Sequence, residues 1–334
     1  MFESETLYRA KAMGIILMVV GHALYPDLFW RRLIYLFHMP LFYILSGYLF
    51  KDRYFEAPVT FLKRRVRSLY VPYIQFGILF ICLHNVFVSY HLIDSENYTT
   101  SMFLGKLGKN LIFLETESLL GAMWFLRSLF LTSLLYFGAT YILRRFFHRE
   151  LLINICVLVA AFAMGALLHL LQVHLPYYLD REIFCVSFFA TGRLVVLGKY
   201  RLPSFWWVAV VLFVVLVGLN NLTALRLHAD DIGNPILTLV SACCGTYLLL
   251  IFSHKLKFGL LSYIGRHTMP ILVWHLFLFK IVTFAIILVY GLPFGKLTAF
   301  PVIYDYPCWW LLYSVVGVGV PLMFIYILQH LKKS

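Results

Sequence analysis

Residues 151–171 read LLINICVLVAAFAMGALLHLL and contain no Asp, Glu, Lys or Arg. About 20 apolar residues in a helix cross the hydrocarbon core of a bilayer, where the backbone must satisfy its own hydrogen bonds. The run therefore predicts a transmembrane helix. Similar windows recur along the chain, and they give ten predicted spans: 12–29, 33–50, 69–91, 119–143, 151–171, 181–198, 204–222, 235–252, 267–290 and 309–330.

The composition of the 334 residues agrees with this prediction. The chain is 62% hydrophobic and 13% charged, whereas a soluble domain is about 45–50% apolar and about 25% charged. The apolar excess argues against soluble domains, a fibrous protein and a disordered tail. We therefore predict an all-α integral membrane protein, with about ten transmembrane helices in a single bundle. Residues 1–334 are expected to form one transmembrane domain.

The orientation follows from the distribution of Lys and Arg between the loops. If the N-terminus is cytoplasmic, 19 of the 28 Lys and Arg residues fall on the cytoplasmic side and 7 on the outer side. This asymmetry predicts that both termini lie in the cytoplasm. The net charge of +13 is then explained by topology and contact with anionic lipids, and no nucleic-acid partner is expected.

Several common site signatures are missing from the sequence. The six Cys residues form no CxxC pair and no Cys/His pattern with zinc spacing, so no metal site is predicted. No Walker A loop, dinucleotide fingerprint or GxSxG motif occurs. Five of the cysteines lie inside apolar runs, where thiols behave as small hydrophobic side chains.

Lys11 directly precedes the first predicted span, and His22 lies inside it. Eleven residues at about 100° each bring both onto nearly the same helix face, about 16 Å apart along the axis. Ionisable groups inside a membrane often mark a functional site. The structural alternative is a His22 held by an interhelical hydrogen bond, with Lys11 as an interface anchor.

The second span contains His38 two residues before Pro40, followed by Ser46 and Tyr48. The short turn between the first two spans predicts that His22 and His38 face one cavity at similar depths. One imidazole would then be a base and the other a positioning or oxyanion-binding group. Alternatively, His38 caps the carbonyls that Pro40 leaves free.

Cations cluster where the third span leaves the cytoplasm, in Lys63-Arg64-Arg65-Val66-Arg67. The cluster is explained either as a positive-inside flank or as an anion site. Arg64 and Arg67 are spaced i, i+3, so one helix face could clamp the phosphates of a cytosolic donor such as coenzyme A.

The fourth span begins with Trp124 and Arg127. Arg127 is expected near the depth of His22, where it could pair with a carboxylate or bind an acyl oxygen or a sugar hydroxyl. Trp124 offers a stacking face, or belongs to an interfacial aromatic belt. His275 is expected nearer the cytoplasmic side with a structural role, and Lys280 lies deeper in the same span.

Together these segments resemble the acyltransferase family 3 membrane proteins, in particular the branch of fucose 4-O-acetylase-like enzymes and polysaccharide O-acetyltransferases. The resemblance rests on four ordered motifs between residues 9 and 127, with Trp274-His275-Leu276 further on. The motifs are Lys11-x10-His22, Phe37-His38-Met39-Pro40-Leu41-Phe42 with Ser46-Gly47-Tyr48, Arg64-x-x-Arg67 followed by Pro72-Tyr73, and Trp124-Phe125-Leu126-Arg127.

The resemblance implies transfer of an acyl group, usually acetyl, from cytosolic acyl-CoA to a hydroxyl of an extracytoplasmic or lipid-linked glycan. We expect His22 to be the general base, or a residue that carries the acyl group covalently, with His38 or Arg127 stabilising the oxyanion. The expected donor-binding residues are Lys11, Arg64, Arg65 and Arg67, and the expected substrate-pocket residues are Trp124, Ser46, Tyr48 and Tyr73.

The expected partners are acetyl-CoA or another acyl-CoA, the saccharide acceptor and membrane lipids. We expect a multi-pass protein of the bacterial cytoplasmic membrane that modifies an envelope or exported polysaccharide. A transporter or flippase for a glycan or a lipid-linked intermediate is the alternative. It explains ten helices and embedded cations equally well, but it does not explain the ordered motifs.

Overall fold

The structure is a computed structural model that describes residues 2–200 and 202–331. The described residues contain no β-strand, and apart from one isolated bridge the regular structure is helical. The helices are α1 (Ser4–Ala23), α2 (Phe29–Tyr35), α3 (His38–Tyr48), α4 (Arg53–Glu56), α5 (Pro58–Arg65), α6 (Val71–Ser89), α7 (Thr100–Leu111), α8 (Trp124–Leu143), α9 (Glu150–Leu170), α10 (Leu179–Leu197), α11 (Trp206–Leu219), α12 (Pro235–Lys255), α13 (Gly259–Arg266), α14 (Thr268–Tyr290) and α15 (Trp310–Leu331). The predicted all-α class is confirmed.

Within the described part of the chain, six stretches of helix are long and apolar enough to cross a membrane. They are Pro58–Ser89, Ser118–Leu143, Glu150–Leu170, Pro235–Lys255, Thr268–Tyr290 and Pro307–Leu331, and Trp206–Leu219 is a shorter apolar helix. The chain is therefore a multi-pass membrane protein. The count of ten spans and the cytoplasmic location of both termini stay predictions.

The first two predicted spans differ from the observed helices. Helix α1 begins at Ser4 and ends at Ala23, so it lies closer to the N-terminus than the predicted span 12–29. The span predicted over 33–50 is broken into α2 and α3. Because α3 begins at His38, Pro40 falls in its first turn, where a helix does not use the N–H that proline lacks.

The chain folds into two compact units, each assembled from segments that are distant in sequence. Unit 1 comprises Met1–Gly14, Arg32–Leu69 and Phe125–Arg266, and unit 2 comprises Ile15–Arg31, Tyr70–Trp124 and His267–Ser334. The single domain over residues 1–334 stays a prediction.

In unit 1, α10 packs against both α9 and α3. A Cβ atom added at Gly192 of α10 would lie 1.8 Å from the carbonyl oxygen of Ile44 in α3, so only glycine permits this approach. An aromatic cluster fills the unit beside these helices. Phe50 lies 5.4 Å from Tyr54, 5.4 Å from Tyr136 and 5.9 Å from Phe189 between ring centroids.

In unit 2, α14 packs against α15 and against the 3₁₀ helix Ser118–Met123, and α6 packs against α7. Lys280, the basic residue within α14, is buried. Its ammonium donates hydrogen bonds to the carbonyl oxygens of Leu297 (2.9 Å) and Ala299 (2.8 Å). The cation thereby ties the 3₁₀ helix Phe294–Thr298 and the residue after it to α14.

Candidate active site

Two histidines of unit 2 lie against each other. The ring centroids of His22 on α1 and His275 on α14 are 5.3 Å apart, with an angle of 37° between the planes. The sequence predicted different depths for these residues, and that prediction was wrong. The expected structural role of His275 stays a prediction.

His275 is fully buried, and its hydrogen bonds define its tautomer. The Nδ1 atom lies 2.9 Å from the carbonyl oxygen of Ile271 and 3.1 Å from that of Leu272. Carbonyls only accept, so Nδ1 carries a hydrogen and, in the neutral ring, Nε2 carries the lone pair. The Nε2 atom has no hydrogen-bond partner among the residues described.

A cavity of about 210 Å³ lies in unit 2 next to the end of α1. Ala23 and Leu24, which directly follow His22, form part of its wall. Aromatic side chains form much of the remaining wall: Tyr25, Tyr304, Tyr306, Trp310 and Tyr313. Such side chains combine an apolar face with a polar tip, as a pocket for a polar organic molecule requires.

His38 of unit 1 is buried at the first residue of α3. Its Nδ1 lies 2.9 Å from the carbonyl oxygen of Ile34 in α2, and its ring centroid lies 4.9 Å from that of Tyr35. The bond to Ile34 spans the break between α2 and α3. Ile34 is not the i−4 carbonyl that Pro40 leaves without a donor, so the capping alternative stays a prediction. The predicted facing of His22 and His38 stays a prediction, because the two residues belong to different units.

Arg127 lies in unit 1, one turn into α8, and is buried. Its guanidinium carbon lies 4.8 Å from the ring centroid of Tyr178, and that of Arg181 lies 5.0 Å from the same ring. One aromatic ring therefore contacts two cations, which is an attractive arrangement for both. The sequence did not predict Tyr178 or Arg181 as neighbours of Arg127.

A buried carboxylate also lies in this part of unit 1. Glu182 is fully buried and accepts hydrogen bonds from Arg181, from Ser128 and, at 3.3 Å, from Thr132. Ser128 in turn contacts the hydroxyl of Tyr43. The adjacent opposite charges Arg181-Glu182 at the head of an apolar run were the available sequence signal, since charges inside a membrane must be paired.

The predicted donor-binding cations belong to unit 1. Arg64 is exposed and donates to the hydroxyl of Tyr54 at 2.8 Å, and the guanidinium of Arg65 lies 5.4 Å from the ring centroid of Phe61. A π-helical turn, Val66–Tyr70, follows α5 and contains the exposed Arg67. Rotation per residue is smaller in a π turn, so Arg64 and Arg67 are not related by the simple α-helical i, i+3 spacing.

The remaining cation of the predicted donor site, Lys11, is half-buried on α1. Its ammonium lies 5.8 Å from the ring centroid of Tyr8. Lys11 and His22 lie on one continuous helix, as predicted. The donor-binding role of Lys11 stays a prediction.

Two predicted pocket residues belong to α3. Tyr48 lines an apolar cavity of about 240 Å³ in unit 1, together with side chains from α1, α10 and α12. Its hydroxyl accepts a hydrogen bond from the backbone N–H of Phe2 at 2.7 Å. Ser46 is half-buried and is not part of the wall of this cavity.

The other two predicted pocket residues belong to unit 2. Tyr73 is buried, stacks on Phe113 with a centroid distance of 4.4 Å and donates to the carbonyl oxygen of Glu115 at 3.1 Å. These contacts support a structural role for Tyr73 between α6 and the segment after α7. Trp124, the first residue of α8, is half-buried.

An ionic cluster lies where α10 begins in unit 1. His174 Nδ1 is 3.6 Å from an oxygen of Asp180 and 3.4 Å from an oxygen of Asp230. Burial, followed by a hydrogen bond with Asp180 and its negative charge, raises the pKa of Asp230 to about 6. The cluster joins the segments before α10 and before α12, and no sequence pattern indicated it.

A family model described as an acyltransferase domain (Acyl_transf_3) matches residues 9–326, nearly the whole chain. No curated protein and no solved structure matches the chain. The matched range contains His22, His38, Arg127 and His275 as well as the predicted donor-binding residues. The helical, multi-pass architecture agrees with the match, and the chain belongs to acyltransferase family 3.

Proposed function

We propose that this membrane acyltransferase transfers an acetyl group from cytosolic acetyl-CoA to a hydroxyl of an extracytoplasmic or lipid-linked glycan. The family supplies the general activity. The donor, the acceptor and the residue roles are the proposal. It needs no metal, because the proposed chemistry requires only a base, a polarised thioester and a positioned hydroxyl.

The observation that carries the proposal is the contact between His22 and His275 beside a cavity with aromatic walls. An imidazole has an ordinary pKa near neutrality, which suits a general base acting on a hydroxyl at working pH. The cavity adjoins His22 through Ala23 and Leu24. A molecule bound there would therefore lie next to the end of α1 that carries His22.

The reaction can be written with all atoms in balance. His22 accepts the proton of the acceptor hydroxyl while the oxygen attacks the thioester carbonyl. The tetrahedral intermediate collapses, the C–S bond breaks, and the proton held by His22 passes to the sulfur of the departing coenzyme A. The oxyanion-stabilising roles of His38 and Arg127 stay predictions, since both residues belong to unit 1.

The wall of the cavity favours a carbohydrate acceptor. Tyr25 and Tyr304 meet edge to face with their ring centroids 5.5 Å apart, and Trp310 lies on the same cavity. The axial C–H groups of a pyranose pack well on aromatic faces, while tyrosine hydroxyls can bond the sugar hydroxyls. This combination suits a carbohydrate better than a purely apolar acceptor.

The cations of unit 1 favour a donor that carries phosphates. Arg64 and Arg67 are exposed on either side of the transition from α5 to the π turn, and Arg65 lies between them. Guanidinium groups bind phosphate through paired hydrogen bonds, and coenzyme A carries several phosphates. We assign these arginines and Lys11 to donor binding.

The test of the catalytic assignment is His22→Ala, with His148→Ala as a matched control because His148 is exposed and lies outside the proposed site. Envelope glycans from cells carrying each variant are compared by mass spectrometry. We expect His22→Ala to lose O-acetylation at unchanged protein levels, and His148→Ala to keep it. Full acetylation with His22→Ala would refute the proposal.

The donor assignment is tested separately with purified protein and acetyl-CoA. We expect Arg64→Ala and Arg67→Ala each to weaken acetyl-CoA binding at least several-fold, and the exposed Arg53→Ala to leave it unchanged. Glycan transport without any acyl turnover would instead support a transporter or flippase.

A further inference from the structure

His275 has a buried hydrogen-bonding atom with no partner. The residue is fully buried, and its Nε2 is unpaired among the described residues while Nδ1 is held by two backbone carbonyls. A buried polar atom without a hydrogen-bond partner destabilises the folded protein, and native proteins contain few of them. An unpaired nitrogen at this position therefore calls for a functional explanation.

His22 is a polar neighbour of His275. Phe279 meets the His275 ring edge-on at a centroid distance of 5.7 Å. A Cβ atom added at Gly317 of α15 would lie 3.3 Å from the Cβ of His275 and 2.9 Å from Val19. These contacts form a close apolar wall, whereas the His22 ring lies 5.3 Å away.

This separation is the one that an imidazole–imidazole hydrogen bond requires. Two imidazoles joined by an in-line N–H···N bond of about 2.9 Å have ring centroids about 5 Å apart. The observed distance of 5.3 Å meets this requirement. The spacing of the rings therefore permits a hydrogen bond between a ring nitrogen of His22 and Nε2 of His275.

We propose that His275 is a positioning residue for His22: its Nε2 accepts a hydrogen bond from one ring nitrogen of His22. This bond fixes the His22 tautomer in which the other ring nitrogen is unprotonated and is presented to the acceptor hydroxyl. The inference rests on the proposed function. It adds a residue that never touches the substrate but determines which nitrogen of His22 acts as base.

Two carbonyls on α14 determine which of the two imidazoles donates the hydrogen bond and which accepts it. Because Ile271 and Leu272 hold the hydrogen on Nδ1, Nε2 of neutral His275 can only accept. When His22 receives the proton of the acceptor hydroxyl, its other N–H stays bonded to His275. A hydrogen-bonded third group that orients a catalytic imidazole is a recurring feature of enzymes that use histidine as a base.

The test uses full-length protein in inside-out membrane vesicles that contain the native acceptor, with radiolabelled acetyl-CoA as the probe. His275→Leu removes the acceptor atom, whereas His275→Gln keeps a polar group near the position of Nε2. We expect His275→Leu to lower kcat about 10- to 100-fold, a range typical for loss of a group that orients a functional imidazole. The KM for acetyl-CoA should not change, and His275→Gln should recover most of the loss.

The pH profile of activity distinguishes a positioning role of His275 from a role in packing alone. We expect His275→Leu to move the acidic limb of the profile of kcat/KM, because the environment of the His22 base changes. Phe279→Leu, which alters packing against His275 without removing a hydrogen-bond acceptor, is the matched control and should leave the limb in place.

Two results would overturn the inference. One is wild-type activity in His275→Leu, and the other is equal loss in His275→Leu and His275→Gln with an unmoved pH profile. Failure of the proposed function is distinguishable, since it would appear as full glycan acetylation in His22→Ala. An inactive His22→Ala together with a fully active His275→Leu would refute only the role of His275.

Discussion

Replacement of Glu182 by alanine should strongly destabilise unit 1. The Glu182 side chain is fully buried, and that of its partner Arg181 is only 1% exposed. The substitution leaves the guanidinium of Arg181 buried without its counter-charge and removes the acceptor used by Ser128 and Thr132. Breaking a buried pair from one side costs about 3–5 kcal/mol.

Other substitutions at Arg181 and Glu182 should lower the folding stability by different amounts. Arg181 keeps a hydrogen bond to the carbonyl oxygen of Leu227 at 2.8 Å and its contact with Tyr178, so the loss in Glu182→Ala should be near the lower end of that range. Glu182→Gln keeps one acceptor oxygen and should cost less. In the double variant Arg181→Met/Glu182→Leu no charge stays unpaired, and most of the stability should return.

The assay is thermal unfolding of the detergent-solubilised protein. The wild type, Arg181→Met, Glu182→Leu and the double variant form a double-mutant cycle. We expect the midpoint to fall for each single substitution and to recover in the double variant. If Glu182→Ala matches the wild type, or if the single effects simply add in the double variant, the buried pair is not energetically coupled and the reasoning fails.

Three further predictions concern separate parts of the molecule. The folded protein keeps a proton on Asp230 up to about pH 6, whereas an ordinary aspartate loses its proton near pH 4. The segment before α12 should therefore lose stability as the pH rises from about 4 through 6. Hydrogen exchange should record this loss of stability, and Asp230→Asn should abolish the pH dependence. Gly192→Ala should sharply lower the yield of folded protein, because its Cβ would collide with the Ile44 carbonyl, as size-exclusion profiles would reveal. Lys280→Met should leave two carbonyls unpaired and speed proteolysis after Phe294.

Much of the fold could be predicted from composition and hydropathy. In lipid a chain must satisfy its backbone hydrogen bonds locally, so an uncharged run such as residues 151–171 has few alternatives to a helix, and α9 covers Glu150–Leu170. The break between α2 and α3 was not predicted, since an apolar window does not reveal where the helix is interrupted. The start of α1 at Ser4 was missed because the polar residues of its first turns lower the mean hydropathy of the window.

The candidate site was predicted only in part. His22 and Arg127 stood out because ionisable groups are rare in apolar runs. The partners of these residues depend on which helices pack together. Tyr178 contacts Arg127 from the segment before α10, far along the chain, and no local pattern encodes that contact.

The sequence by itself determined that this chain is a helical membrane protein with a small set of ionisable residues. It could do so because exposing polar groups to lipid is unfavourable in every segment, whichever other segments pack against it. Its ordered motifs also determined the family. Tertiary structure alone decided that His275 lies against His22 and that Arg181, Ser128 and Thr132 surround Glu182. Contacts between distant segments depend on how the surfaces of the helices fit together, and the pattern of hydrophobicity along the sequence does not determine that fit.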